Sequence, residues 1–284
     1  MTARTRRVAV VGIDGSGKSS VVRQLGAAAG SRTVVAALTC PDFHDTPDAP
    51  LRDLSRRLRL FSDQADILGH PVIKAAALYL QMTLYGPVER FFLDTFAPSV
   101  LICERHPVVE SMVYGPLYVQ LAGAATPGSD DDQAIRDLLA GHDPQAMAAI
   151  EAWHAGQRAR LGDEVALWGV LGDVARLVDQ GPEDALRGFA TRYQTTLPDE
   201  VIWLDVPPEQ AMQRCAERID GKQLEAHETL GTLTALRERY RQARETFRQC
   251  APQVVFHTID ASDAAGLEQA LRACVAEARL PVGV

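Results

Sequence analysis

The sequence predicts an α/β fold, a three-layer sandwich in which a five-stranded parallel sheet is flanked by helices and carries a helical insertion. Three observations lead there. Short runs rich in Val and Ile alternate with longer segments of helical period, the order expected when a parallel sheet is covered on both faces. A Gly-rich turn follows the first run directly. The 284 residues, 46% hydrophobic and 23% charged, have ordinary globular composition and enough length for one sizeable core. The expected organisation is one domain over residues 1–284, with the insertion at 121–198.

In chain order, the strand candidates are residues 8–11, 33–38, 100–103, 201–204 and 254–259, joined by right-handed crossovers. A helix over 18–29 follows the Gly-rich turn. A second, over 51–60, carries a basic face, and a third, over 73–96, is interrupted at Gly86-Pro87. The last, over 267–280, aligns Leu267, Ala270, Leu271, Cys274, Val275 and Ala278, with Ser262 or Asp263 as its N-cap. Between 121 and 198 there is no strand-like run. Met147, Ile150, Trp153, His154 and Gln157 share one helical face there, and Leu167, Trp168, Leu171, Val174 and Val178 share another. Asp143-Pro144 and Gly181-Pro182 mark helix starts, and Gly128-Ser-Asp-Asp-Asp132 reads as an exposed loop or a helix cap.

A formal net charge of −8 argues against a nucleic acid polymer or an anionic membrane as partner, because neutralising phosphates needs clustered Lys and Arg. The basic first residues are not followed by an apolar run long enough for a signal peptide, and no segment approaches a membrane span, so a cytoplasmic protein is expected. The five cysteines (Cys40, Cys103, Cys215, Cys250, Cys274) are scattered without a CxxC pair, which suits buried free thiols better than a zinc or redox site. The histidines show no metal-ligand spacing; His227-Glu228 reads as a lid contact or a surface pair rather than half a zinc site.

The segment Val8-Ala-Val-Val-Gly-Ile-Asp-Gly-Ser-Gly-Lys-Ser19 is a strand, a loop and a helix start, and it fits G-x-x-x-x-G-K-[ST] from Gly12 to Ser19. Gly12, Gly15 and Gly17 let backbone amides, with those of Ser16 and Ser20, converge on phosphate oxygens at a helix N-terminus. Lys18 is expected to reach the β/γ phosphates and Ser19 to offer its hydroxyl to Mg²⁺. A nucleoside triphosphate site follows, although switches and motors carry the same loop.

The loop Gly12-Ile-Asp-Gly-Ser-Gly-Lys-Ser19 resembles that of thymidylate kinases, in which an Asp in the loop, here Asp14, lies towards the acceptor nucleotide. Four later segments agree in order. Cys40-Pro-Asp-Phe-His-Asp-Thr46 with Leu51-Arg-Asp-Leu54 is similar to the acceptor loop and its helix, which brings in Phe43. Val100-Leu-Ile-Cys-Glu-Arg-His106, with Ser111 and Tyr114, is similar to the strand ending in Asp-Arg-Tyr. Val201-Ile-Trp-Leu-Asp-Val-Pro-Pro-Glu209, with Arg214 and Arg218, is similar to the strand and helix before the lid, and Ile259-Asp-Ala-Ser262 to the turn that places Ala261 beside adenine. Glu104-Arg105 is nearer the Glu-Arg-Ser of deoxynucleoside kinases. The resemblance implies a P-loop kinase using ATP and Mg²⁺ on a small, nucleotide-like acceptor, and it leaves a homodimer open.

The chemistry asks for the same residue types. Transfer of a γ-phosphoryl group is mostly positioning plus cationic stabilisation, so cations are needed on both sides of the γ-phosphate. Arg105 at a strand end would enter the crevice, and Arg214 and Arg218, on one helical face with Lys222 beyond, would close over the phosphates. Glu104 is expected to hold Mg²⁺ or take the acceptor proton; Asp205 also ends an apolar strand and competes for that role, with the resemblance favouring Glu104. Bland readings stand beside these: a strand-end ion pair for Glu104 and Arg105, a solvated face for Arg214 and Arg218, a loop cap for Asp14. The stretch Leu78-Tyr-Leu-Gln-Met-Thr-Leu-Tyr85 lacks the Arg that thymidylate kinases carry, His44 and Asp45 stand where the acceptor loop would have an Arg, and His106 replaces the phenol. Gln81, Tyr85 and Tyr114 are therefore candidates for acceptor contacts, against plain core packing. A regulatory nucleotide-binding protein without transfer activity is the rival reading.

Overall fold

In the computed structural model, residues 4–27, 35–218, 229–263, 267, 268, 271, 272 and 275 are described. The five strands are β1 (Arg6–Val11), β2 (Val35–Thr39), β3 (Val100–Glu104), β4 (Glu200–Asp205) and β5 (Val255–Asp260). They form one all-parallel sheet in the order β2-β3-β1-β4-β5. The predicted α/β fold and five-stranded parallel sheet are therefore present. Val8, Ala9, Val10 and Val11 in β1, and Val201, Ile202 and Leu204 in β4, are completely buried. That is why these strands read as continuous apolar runs rather than as alternation.

Helix α1 (Lys18–Ala27) leaves the Gly-rich turn, and α2 (Arg52–Leu68), α3 (Pro71–Met82) and α4 (Tyr85–Phe96) lie between β2 and β3. α2 is longer than its sequence pattern suggested and closes on Gly69 in the left-handed region, which favours glycine. The single helix expected over 73–96 is two, and the break falls at Thr83-Leu84, not at Gly86-Pro87. Thr83 Oγ1 donates to the Leu80 carbonyl at 2.6 Å and accepts from Trp153 Nε1 at 2.8 Å, fixing the break from both sides. Pro87 sits in the first turn of α4, where no intrahelical N–H is lost. Gly86 serves a close approach instead: a Cβ there would lie 2.3 Å from the Tyr193 carbonyl oxygen.

Helix α5 (Pro107–Ala122) follows β3, and His106 caps it, Nδ1 accepting from the Val108 amide at 3.3 Å. Burial first, then the Arg7 guanidinium, hold the His106 imidazole down at about 3, so it stays a neutral acceptor. Residues 121–198 contain α6 (Ser129–Ala140), α7 (Ala146–Leu161), α8 (Val170–Asp179) and α9 (Pro182–Tyr193), with no strand. Asp130, Asp131 and Asp132 occupy the first turn of α6, where carboxylates suit the helix dipole. The buried face of α7 contains Met147, Ile150, His154 and Gln157, as its periodicity predicted. α8 and α9 pack on α5, while α6 and α7 pack on α2. Helices α10 (Pro208–Arg218) and α11 (Leu230–Cys250) flank residues 219–228, so Lys222 and His227-Glu228 lie outside the described residues. Most of the expected last helix does too; Leu271 and Val275 are buried.

Candidate active site

β1 stops at Val11 and the chain turns through Gly12 (φ +151°), Gly15 (φ +77°) and Gly17 (φ +94°) before α1 begins at Lys18. Gly12 and Gly15 are needed for space as well as for φ. A Cβ at Gly15 would sit 2.2 Å from the Ala211 carbonyl oxygen, and one at Gly12 would sit 2.7 Å from that of Leu204. Lys18 folds over the loop, Nζ donating to the carbonyls of Gly12 (2.9 Å) and Ile13 (2.8 Å), with Asp14 Oδ1 at 3.8 Å. Burial, followed by repulsion from Arg105, lowers its ammonium to about 8. Ser16 is fully buried in the loop and its Oγ has no partner. Ser19 and Ser20 are exposed and line the cavity described below.

Parallel pairing of β1 with β3 sets Val10 beside Glu104, which delivers the end of β3 to the loop. Ser19 Oγ donates to Glu104 Oε1 at 2.7 Å. Asp205, the competing acid, is engaged elsewhere, bound by both Arg237 Nε (2.5 Å) and Nη2 (3.0 Å). Glu104 and Arg105 do not pair with each other. Arg105 takes a left-handed backbone (φ +62°), and its guanidinium bonds Asp14, Glu110 Oε2 (2.8 Å) and the Tyr114 hydroxyl (3.2 Å). A non-glycine residue at such a φ costs on the order of 1–3 kcal/mol, and sites that bind or react are where this cost is commonly met.

One cavity of about 640 Å³ joins these groups. At the loop end it is lined by Asp14, Gly15, Gly17, Lys18, Ser19, Ser20, Arg23, Glu104 and Arg214. At the other end are Arg105, Tyr114, Gln81, Lys74, Arg59 and an apolar wall to which α8 adds Leu171 and Val174. This is the crevice beyond the carboxyl ends of β1 and β3, at the point where the chain's strand order reverses.

Several expected site residues sit otherwise. Phe43 and Tyr85 are core side chains, fully or almost fully buried, and do not line the cavity; Tyr85 packs between Phe43 and His106. They are large apolar rings on elements that back the cavity, so the hydrophobic effect claims them. Arg214 lines the cavity, but its guanidinium donates to the carbonyls of Ala261 (2.9 Å) and Ser262 (3.1 Å) rather than spanning the loop. Ala261 is buried behind it. Arg218 ends α10 and its side chain lies outside the described residues.

Sequence reasoning missed four groups. Glu110 holds Arg105 and accepts from Tyr240 of α11 at 2.7 Å. Lys74 lies in α3, almost fully buried, where it bonds Ser62 Oγ (2.8 Å) and Asp66. Arg59 of α2 pairs with Asp63 (2.8 Å) and Asp42 (3.4 Å). A lone Lys in Val72-Ile-Lys-Ala-Ala-Ala77 and a lone Glu in Val108-Val-Glu-Ser111 were the signals available, since a charge inside an apolar helical stripe needs a partner.

Oxygen donors Ser19 and Glu104, 2.7 Å apart and open to the cavity, suit Mg²⁺, which takes few protein ligands and keeps its remaining positions for phosphate and water. Among the described residues no cluster of three His, Cys, Asp or Glu could hold a metal by itself.

No protein-family model matches the sequence, and no curated protein is similar to it. Among solved structures, a thymidylate kinase from Candida albicans, described as having broad substrate specificity and a novel structural element, aligns with 98% of this chain and 94% of its own. The identity is 12% and the TM-score 0.54. A deoxyadenosine kinase from M. mycoides, solved with bound dCTP, aligns at 12% identity and TM-score 0.48 over 96% of this chain and 98% of its own. The first of these likenesses is one of fold: the chain has a thymidylate kinase-like P-loop fold.

Proposed function

We propose that the protein transfers the γ-phosphoryl group of ATP to a small, nucleotide-like acceptor within a single domain into which residues 121–198 are inserted. One observation carries this reading: the phosphate loop with Lys18, Ser19 and Glu104 shares one cavity with Arg105, Tyr114 and Gln81. A switch protein needs the first group only. The loop amides and Lys18 would cradle the β and γ phosphates, and Arg105 would stand on the acceptor side of the γ-phosphate. Bound Mg²⁺, held by Ser19 and Glu104, would neutralise phosphate charge. In the transfer, the acceptor hydroxyl oxygen bonds to the γ phosphorus, the bond from that phosphorus to the β–γ bridging oxygen breaks, ADP leaves with the electron pair, and the hydroxyl proton is lost to water.

A cytoplasmic location belongs to the proposal; separately, no described helix is long and apolar enough to cross a membrane. The test is ATP consumption, with product identification, against nucleosides, their monophosphates and modified analogues. Transfer to one of them that is abolished by Lys18→Ala supports the reading. Silence with all of them, together with absence of Mg-ATP binding, overturns it.

A further inference from the structure

The two ends of the cavity differ in how their cations are compensated. At the loop end, Lys18 bonds backbone carbonyls at 2.9 and 2.8 Å and has a carboxylate oxygen, Asp14 Oδ1, only at the longer distance of 3.8 Å, while Arg214 bonds two more carbonyls and Arg23 bonds the Ser20 hydroxyl at 3.2 Å. Carbonyls and hydroxyls leave cationic charge uncancelled, which suits a polyanion. At the far end every described cation is closed by carboxylate. Arg105 carries Asp14 and Glu110, Lys74 carries Asp66, and Arg59 carries Asp42 and Asp63. Each of Arg105, Lys74 and Arg59 thus has at least one carboxylate on it.

A phosphomonoester entering that end would have to pull a carboxylate off a largely buried cation, or bring a dianion in among carboxylates. The rest of the wall is uncharged. Leu78, Met82, Tyr118, Leu171 and Val174 supply apolar surface. Gln81 is 1% exposed, and both its amide oxygen and its amide nitrogen lack a partner. An unsatisfied buried amide is costly unless a ligand completes it, and it offers one donor and one acceptor to a neutral polar group.

We infer that the acceptor end takes an uncharged, hydroxyl-bearing ring compound and excludes phosphomonoesters, the closed ion pairs of Lys74 and Arg59 being the device of exclusion. This rests on the phosphoryl-transfer reading of the same site and departs from the monophosphate acceptor that the thymidylate kinase resemblance implies. The hydroxyl meets the γ-phosphate beside Arg105, with the bond changes and proton path given above, and the product carries away the charge that the pocket does not accommodate.

The experiment uses the full chain loaded with Mg²⁺ and a non-hydrolysable ATP analogue, titrated calorimetrically with methyl phosphate as a minimal phosphomonoester. The wild-type protein is expected to show no saturable binding up to millimolar concentration. Asp66→Asn, which frees Lys74, is expected to gain at least tenfold in methyl phosphate affinity while analogue affinity is unchanged. The combined variant Asp42→Asn with Asp63→Asn, which removes both carboxylates from Arg59, gives an independent second test should the first variant fold poorly. Saturable binding to the wild type that Lys74→Gln removes would overturn the inference. No gain in either variant would do so as well, because the carboxylates would then not be what closes the pocket. Failure of the analogue itself to bind would instead strike the phosphoryl-transfer reading, so the two failures are distinguishable.

Discussion

The Tyr240 hydroxyl donates to the Glu110 carboxylate at 2.7 Å, and Glu110 in turn grips Arg105 at 2.8 Å. Tyr240 also lies 3.2 Å from the Gly12 carbonyl. Helix α11, which begins just after residues 219–228, is thereby fastened to the phosphate loop and to the arginine that faces it. Tyr240 and Glu110 are both almost completely buried, so water does not replace a lost partner.

Tyr240→Phe keeps the packing and removes the donor. It is expected to lower stability by about 1–3 kcal/mol, the cost of a buried hydrogen bond to a charged group. Urea unfolding at neutral pH measures this. A change within a few tenths of a kcal/mol would show that Glu110 is satisfied without it.

Arg105→Ala strands Asp14 and Glu110 without their shared cation. Turnover with any accepted substrate is expected to fall on the order of 10²-fold or more, with stability reduced by about 3 kcal/mol. Arg105→Lys restores charge without the fork, so it should recover stability more than rate. Steady-state kinetics beside thermal unfolding separate the two effects. Unchanged kinetic constants in Arg105→Ala would remove this residue from the reaction.

Lys18 sits at about 8 through burial and the nearby Arg105 cation. Phosphates seated in the loop would raise it, because opposite charge favours the ammonium. The protein's affinity for Mg-ATP is therefore fully present below about pH 8, declines progressively as pH rises above it because binding must then take up a proton, and is lost only above the raised value of the bound state. Calorimetry in buffers of different ionisation enthalpy should show close to one proton taken up well above pH 8 and close to none near neutrality. Lys18→Ala should abolish the uptake. Equal uptake in the wild type and the variant would assign the proton to another group.

Gly15→Ala places a Cβ within 2.2 Å of the Ala211 carbonyl oxygen at a φ of +77°. The loop must shift away from α10, and the expected result is loss of Mg-ATP affinity by at least tenfold. Fluorescent-nucleotide titration reads this directly, and wild-type affinity would mean that the loop amides do not set nucleotide binding.

The sheet was legible because its strands are buried on both faces, so residues 8–11, 100–103 and 201–204 stand out as uninterrupted apolar runs. The phosphate loop was legible because three glycines and Lys18-Ser19 answer a requirement local in sequence. The far end of the cavity was harder. Tyr85 and Phe43 share residue types with a ligand-contacting aromatic, and nothing local says which way a ring faces. Lys74 and Glu110 each find partners on other elements or one helical turn away, so the fold decides their neighbours. The Thr83 break depends on Trp153, 70 residues later, and was misplaced at Gly86-Pro87, whose glycine answers to Tyr193 instead.

The most direct test of the central claim follows the γ-phosphoryl group itself. The protein is incubated with Mg²⁺, ATP labelled with ¹⁸O in the γ-phosphate and a mixed metabolite extract, and every small molecule is examined by mass spectrometry. The account predicts one new phosphomonoester carrying three labelled oxygens, formed on an uncharged alcohol and absent with Lys18→Ala. Label found only in inorganic phosphate, with no labelled ester at any time, would contradict it.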